Sequence, residues 1–158
     1  MRIAPAEYAL FLVAALVFFS QHSVRHTITP STAPMTSQQT SQNTRIVIDR
    51  FNDAFNRHDA DALEPLLTDD TVFEDTSPAP DGQRIAGKAA VVAFWRGWFA
   101  RNPDAHFDAE DVIVSGDRAV VLWVYRKIRN GQPWHLRGVD VFTVRDGKVA
   151  AKLAYVKG

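Results

Sequence analysis

Trp134 to Val144, WHLRGVDVFTV, is a stretch whose residue types and spacing could do chemistry. It alternates as a strand does, with successive side chains pointing to opposite faces. Trp134, Leu136, Gly138, Asp140, Phe142 and Val144 then share one face, and His135, Arg137, Val139, Val141 and Thr143 share the other. Asp140 is a carboxyl group in an apolar row. A carboxyl held away from water with no cation beside it favours its neutral form, and groups perturbed in this way concentrate at active sites. The other reading is an Asp bonded to a neighbouring strand or paired with a Lys or Arg, since buried polar groups are as a rule satisfied. Thr71 to Thr76, TVFEDT, repeats the pattern: Phe73 and Asp75 fall on one face, Val72 and Glu74 on the other.

Periodicity identifies the elements that must position these two residues. From Gln42, apolar residues at spacings of three and four (Val47, Phe51, Ala54, Phe55, with His58 at the end) predict an amphipathic helix. His58 reads as a boundary residue, because no second His stands at ligand spacing. Asp59 can cap a short helix running through Leu67, with Pro65 placed early. After the TVFEDT strand, Ser77 to Gly82 (SPAPDG) is a turn-forming loop. Gly87 then precedes a third helix over Lys88 to Arg101, striped by Val91, Phe94, Trp95, Trp98 and Phe99. The remainder reads as strands at 106–114, 118–128, 134–144 and 148–156, joined by Ser-Gly-Asp, Asn-Gly and Asp-Gly turns. This is a four-strand antiparallel meander. Helices ahead of strands indicate an α+β fold with the helices on one face of the sheet. The long strands suggest strong curvature, giving a curved antiparallel sheet wrapped around the N-terminal helices with a cone-shaped pocket.

The 158 residues, 46% hydrophobic and 11% aromatic, suffice for one core. We expect one domain over residues 42–158. Lys plus Arg and Asp plus Glu number 18 each, so no surplus of positive charge is available for a nucleic-acid backbone. Cysteine is absent, which removes disulfides and thiolate chemistry and fits a cytoplasmic setting. Residues 1–41 differ in kind. Ala9 to Phe19 is apolar but shorter than the roughly 20 residues a membrane-spanning helix needs, and no clear cleavage site follows it. Export or membrane tethering through residues 9–19 is the alternative to the cytoplasm. Thr27 to Thr44, rich in Ser, Thr, Gln and Pro, reads as a flexible tail. Met35 within it offers a second start, which would make residues 1–34 a non-native extension.

In this order of elements, with RFNDAFNRHDADAL, TVFEDT and HLRGVDVFTVRDGKV as its motifs, the chain from Asn43 to Lys157 resembles the nuclear transport factor 2-like superfamily. Within it the chain is most similar to the SnoaL-like and ketosteroid isomerase-like branch. The resemblance implies that Asp75 stands at the position of the isomerases' proton-shuttling aspartate. It implies that Asp140 stands at that of their protonated aspartic acid, which hydrogen-bonds the dienolate oxygen. Alignment through HDADAL puts Phe51 at the position of their oxyanion-hole tyrosine, and phenylalanine cannot donate that bond. Tyr125 or Tyr155 could supply a phenol from another wall, or could be sheet aromatics of the core. Dimerisation through the outer sheet face is also implied.

These readings converge on a pocket for an apolar small molecule, lined by Phe51, Trp95, Trp123, Phe142 and Trp134. No cofactor or metal is needed: Asp75 would take a proton next to a carbonyl while neutral Asp140 stabilises the growing oxyanion. Isomerisation, aldol cyclisation and dehydration all suit such a pair. The competing reading is a non-catalytic ligand-binding or orphan dimeric domain, in which Lys or Arg partners fix both carboxylates. GxSxG, HExxH, GxGxxG and P-loop patterns are absent from the sequence.

Overall fold

The computed structural model describes residues 35–157. The hydrophobic segment at 9–19, the proposed extension before Met35 and the question of a membrane anchor fall outside that span, apart from Met35 itself. Among the described residues no helix is long and apolar enough to cross a membrane.

Helix α1 runs Ser37–Asn56, α2 is Ala60–Leu63, and a 3-10 turn at Glu64–Leu66 leads directly into strand β1, Leu67–Glu74. Strand β2 is Arg84–Ala86 and α3 is Lys88–Arg101. Four long strands follow: β3 His106–Ser115, β4 Arg118–Arg129, β5 Gln132–Arg145 and β6 Lys148–Val156.

Helix α1 begins well before Gln42, which corrects the flexible tail expected through Thr44. Thr36 and Gln39 form a reciprocal capping box at its start. Its polar first turns are tied down from outside: Ser41 Oγ accepts from the Gly116 amide at 2.9 Å and Thr44 Oγ1 donates to the Gly116 carbonyl at 2.8 Å. Both bonds reach the β3–β4 turn, a tertiary anchor that local composition does not reveal. The apolar face then takes over with Val47, Ile48, Phe51 and Ala54, all buried. His58 lies just past the helix at φ 55°, stacked on Phe99, with Nε2 donating to the Ala105 carbonyl at 2.9 Å.

The α+β arrangement stands, and β3 to β6 form the antiparallel meander expected from their turns. The curved, wholly antiparallel sheet with a cone-shaped pocket does not. The six strands run β2-β1-β6-β5-β4-β3 in one open, mixed sheet, in which β1 pairs parallel with β6 and antiparallel with β2. Strands β2 and β3 are edges, and a barrel or cone would need those edges joined. Long strands give a wide sheet, not a closed one. The core lies between one face of that sheet and helices α1 and α3, where Phe51 packs edge-on against both Trp95 and Phe142, at 5.4 and 5.3 Å between ring centres.

Candidate active site

A cavity of about 210 Å³ lies between the helices and the inner sheet face, and both suspect carboxyls border it. Asp75 follows the last residue of β1, on the same face as Phe73. Its backbone is held by a loop that folds back on it: the Asp75 amide donates to the Gln83 carbonyl at 2.9 Å. Gly82 makes this approach feasible, because a Cβ there, at φ 75°, would lie 1.7 Å from the Asp75 carbonyl oxygen. The Asp75 side chain accepts from the Thr76 amide at 2.8 Å. Burial pushes the carboxyl above its ordinary range, against the lowering effects of that hydrogen bond and of Lys152, with the Asp140 charge pushing the same way as burial.

Asp140 lies in β5 on the face that strand alternation assigns it, and it is 5% exposed. It is not alone. The Lys152 ammonium sits 2.8 Å from Asp140 Oδ1, with side-chain exposures of 9% and 7%. The approach is off-axis for a hydrogen bond, so Oδ1 has a countercharge and no hydrogen-bond donor. Lys152 is cross-strand from Phe142 on β5 and from Phe73 on β1. Its ammonium lies 5.1 Å from the Phe73 ring centre, 5.8 Å from that of Phe142 and 5.9 Å from that of Phe55. Rings at that range attract a desolvated cation. The carboxylate and the three aromatic faces each offset part of what burying an ammonium costs.

Nothing in the alternation of KVAAKLAYV points Lys152 inward. With Val149 buried, strict alternation would carry Ala151, Leu153 and Tyr155 to the same face. The pairing instead steps from Thr143–Ala151 to Val144–Val149, leaving Ala150 as an extra residue. A bulge of this kind reverses the faces beyond it. Lys152, Ala154 and Val156 therefore border the cavity, while Tyr155 is 52% exposed and lies away from it.

The other expected lining residues divide. Trp95, Trp123 and Tyr125 border the cavity with Asp75 and Asp140. Phe51 touches instead a small neighbouring space of about 20 Å³ that also meets Asp140 and Lys152. Phe142 is fully buried behind the pair, and Trp134 sits edge-on to Tyr125, bordering a separate surface depression. Phe55, Phe94, Trp98 and Phe107 complete the aromatic wall; of these, Phe94 and Trp98 were legible as the α3 stripe. The Tyr125 phenol is pushed above its usual range, by burial first and then by the Asp104 charge, so it stays protonated through neutral pH. Trp123 lies directly opposite Gly138. A Cβ on Gly138 would fall 2.5 Å from Trp123 Cζ2 and 2.2 Å from the Tyr155 carbonyl oxygen, so the glycine leaves the indole its place.

Comparison with known proteins identifies the family and the fold. The SnoaL-like domain family matches residues 48–152, from α1 to Lys152. The chain belongs to that family. Its SnoaL-like domain has the nuclear transport factor 2-like fold of a protein of unknown function from Mesorhizobium loti: 39% identity, TM-score 0.67, covering 80% of this chain and 98% of that one. A protein provisionally called a polyketide cyclase, from Sinorhizobium meliloti, is 25% identical over 70% of this chain and 94% of its own, with TM-score 0.58. One provisionally called a ketosteroid isomerase, from Kribbella flavida, shares the fold at 20% identity and TM-score 0.60, covering 75% and 80%. No curated protein matches the chain significantly.

Proposed function

We propose that this SnoaL-like domain binds an apolar, carbonyl-containing small molecule and carries out cofactor-free acid–base chemistry on it, of isomerase, cyclase or dehydratase type. The observation that carries the reading is that Asp75, its carboxyl raised by burial, borders one cavity with the Asp140–Lys152 pair. In its ionised form Asp75 takes a proton from the carbon next to the carbonyl, and the C–H electrons move onto the carbonyl oxygen. The Lys152 ammonium stabilises that oxygen, with Asp140 holding the ammonium in place. Asp75 then returns its proton to another carbon, which completes an isomerisation. In a cyclisation the enolate carbon attacks a second carbonyl instead. The role expected for a neutral Asp140 passes in this scheme to its partner.

Hydrogen–deuterium exchange at the α-carbon of 2-tetralone, followed by NMR in D2O, tests the proton transfer without knowledge of the native substrate. Exchange above the buffer rate in the wild type, lost in Asp75→Asn, is the expected result. Equal exchange in the two proteins would refute Asp75 as base.

The second reading, a binding domain without turnover, is favoured by Asp140 having a fixed cation and by Phe51 offering no hydroxyl. It predicts ligand binding with no exchange above the buffer rate. In either case we propose a homodimer through the outer sheet face, where Val139, Val141 and Tyr155 lie; a monomer in sedimentation equilibrium at high protein concentration would rule this out.

A further inference from the structure

Two lysines border the cavity, and only one of them is answered by a carboxylate. Lys152 faces Asp140 at 2.8 Å. Lys127, half-buried near the end of β4, takes part in no ion pair among the described residues. Asp104, whose charge reaches the neighbouring Tyr125 phenol, is engaged by the Ile128 amide at 2.6 Å instead. The Lys127 ammonium is nevertheless held in place. It donates to Asn102 Oδ1 at 3.2 Å and stands 5.8 Å from the centre of the Tyr125 ring, and Asn102 and Tyr125 both border the cavity. Asn102 is fixed in turn, as the C-cap of α3 whose Nδ2 donates to the Trp98 carbonyl at 2.9 Å. A helix C-terminus and a ring face attract a cation through partial charges. They position this ammonium without giving it a counter-ion, and its other N–H groups have no acceptor among the described residues.

Strand register sets how far this cation lies from the acid–base end. Asp140 pairs with Val121 on β4, and from Val121 the inner-face row runs through Trp123 and Tyr125 to Lys127. At about 3.3 Å per residue, the backbone of Lys127 lies about 20 Å along the strand from that of Val121. The Trp123 and Tyr125 rings occupy the interval. The next residue of the row, Arg129, stands over the Trp134 ring at 5.6 Å and does not border the cavity. The cavity thus has a neutralised pair and Asp75 at one end, an aromatic wall along its length, and a single unanswered ammonium at the other.

We infer that Lys127 is a carboxylate-binding residue and that the ligand is an apolar keto acid, its carboxylate separated from the reacting carbonyl by a body that lies along Trp123 and Tyr125. One ammonium matches a monoanion, and the bond it forms is charge-assisted on both sides. The inference rests on the cavity being a ligand site but not on turnover there. The ketone belongs to the proposed chemistry and the carboxylate to Lys127, so the two parts fail separately.

6-Acetyl-2-naphthoate and 6-acetyl-2-naphthamide make the test, since they share a flat shape and a ketone and differ in carrying a charged or an uncharged group at the far end. Titration calorimetry of the full chain at pH 7 reads the ratio of their affinities. The wild type binds the acid about tenfold more tightly than the amide, the lower end for a hydrogen bond to a charged group, and the ratio shrinks as salt is added. Lys127→Arg keeps the preference. Lys127→Met and Lys127→Gln bring the two affinities to within about twofold, once the charged partner of that hydrogen bond is gone; the Gln variant retains a donor for Asn102, so the end of α3 stays tied down. Equal affinities in the wild type, or a preference that survives in both the Met and Gln variants, would each overturn the inference. Binding of neither probe would overturn it together with the ligand site. A Lys127-dependent preference with no Asp75-dependent exchange of the acetyl protons in D2O would overturn the catalytic reading alone.

Discussion

Replacing Lys152 by Met removes the cation from a pair whose side chains are only 9% and 7% exposed, leaving the Asp140 carboxylate in an aromatic interior. Breaking a buried pair on one side costs about 3–5 kcal/mol. A cation–π contribution of about 0.5–2 kcal/mol from the nearest ring, Phe73 at 5.1 Å, overlaps that figure and is not added to it. Against a typical domain stability of about 5–15 kcal/mol the loss is a large fraction. With a urea slope of about 2 kcal/mol per M, the unfolding midpoint should fall by about 2 M, read from tryptophan fluorescence. The double variant Lys152→Met, Asp140→Leu leaves no orphaned charge, and it should recover to within about 1 kcal/mol of the wild type or exceed it, as charge-to-apolar exchanges of buried pairs do. The two single losses would then exceed the double loss by several kcal/mol. A Lys152→Met loss below about 1 kcal/mol, or single losses that simply add, would refute the desolvated pair.

Three further outcomes follow from particular residues. Because burial raises the Asp75 carboxyl in the folded state, its contribution to stability is fully present below the unfolded value of about 3.9 and is lost as pH rises through the folded value. Asp75→Asn should therefore flatten this part of the pH dependence and raise the urea midpoint near neutrality, while any Asp75-dependent rate should fall as acid protonates the base above that same value. Gly138→Ala should destabilise by about 1–3 kcal/mol in thermal unfolding, where an ordinary strand site would gain, because the methyl meets Trp123 and the Tyr155 carbonyl; a neutral result would mean that the indole is free to move. Thr36→Ala should cost about 1 kcal/mol and lower helicity by circular dichroism, since it removes half of the capping box that starts α1.

What the sequence made legible was local. Helix α3 follows Gly87 and spans Lys88–Arg101 as its apolar stripe predicts, and the Asn-Gly and Asp-Gly turns set the meander. Asp140 and Asp75 were legible because period-two alternation holds without interruption along β5 and at the end of β1. Everything missed depended on a distant partner. Strand β2 is three residues whose hydrogen bonds come from β1. The polar turns of α1 are helical because Gly116 meets them. Lys152 faces inward because of one extra residue, Ala150, whose cause lies in pairing with β5. Closure was inferred from strand length, whereas it is decided by which edges meet, and the parallel β1–β6 contact leaves β2 and β3 apart.

That parallel contact also has a consequence for biosynthesis. Strand β6, last in chain order, is inserted between β1 and β5, and it bonds β1 across a separation as long as that from Thr71 to Val149. Until β6 emerges from the ribosome, the sheet exists as two unjoined parts, β2-β1 and β5-β4-β3, and Asp140 has no counterion. Helices and hairpins can form as they are made; the site cannot. The nascent domain must therefore carry its aromatic interior open until β6 arrives, which makes the docking of β6 the step at which this domain's exposed aromatic surface is covered.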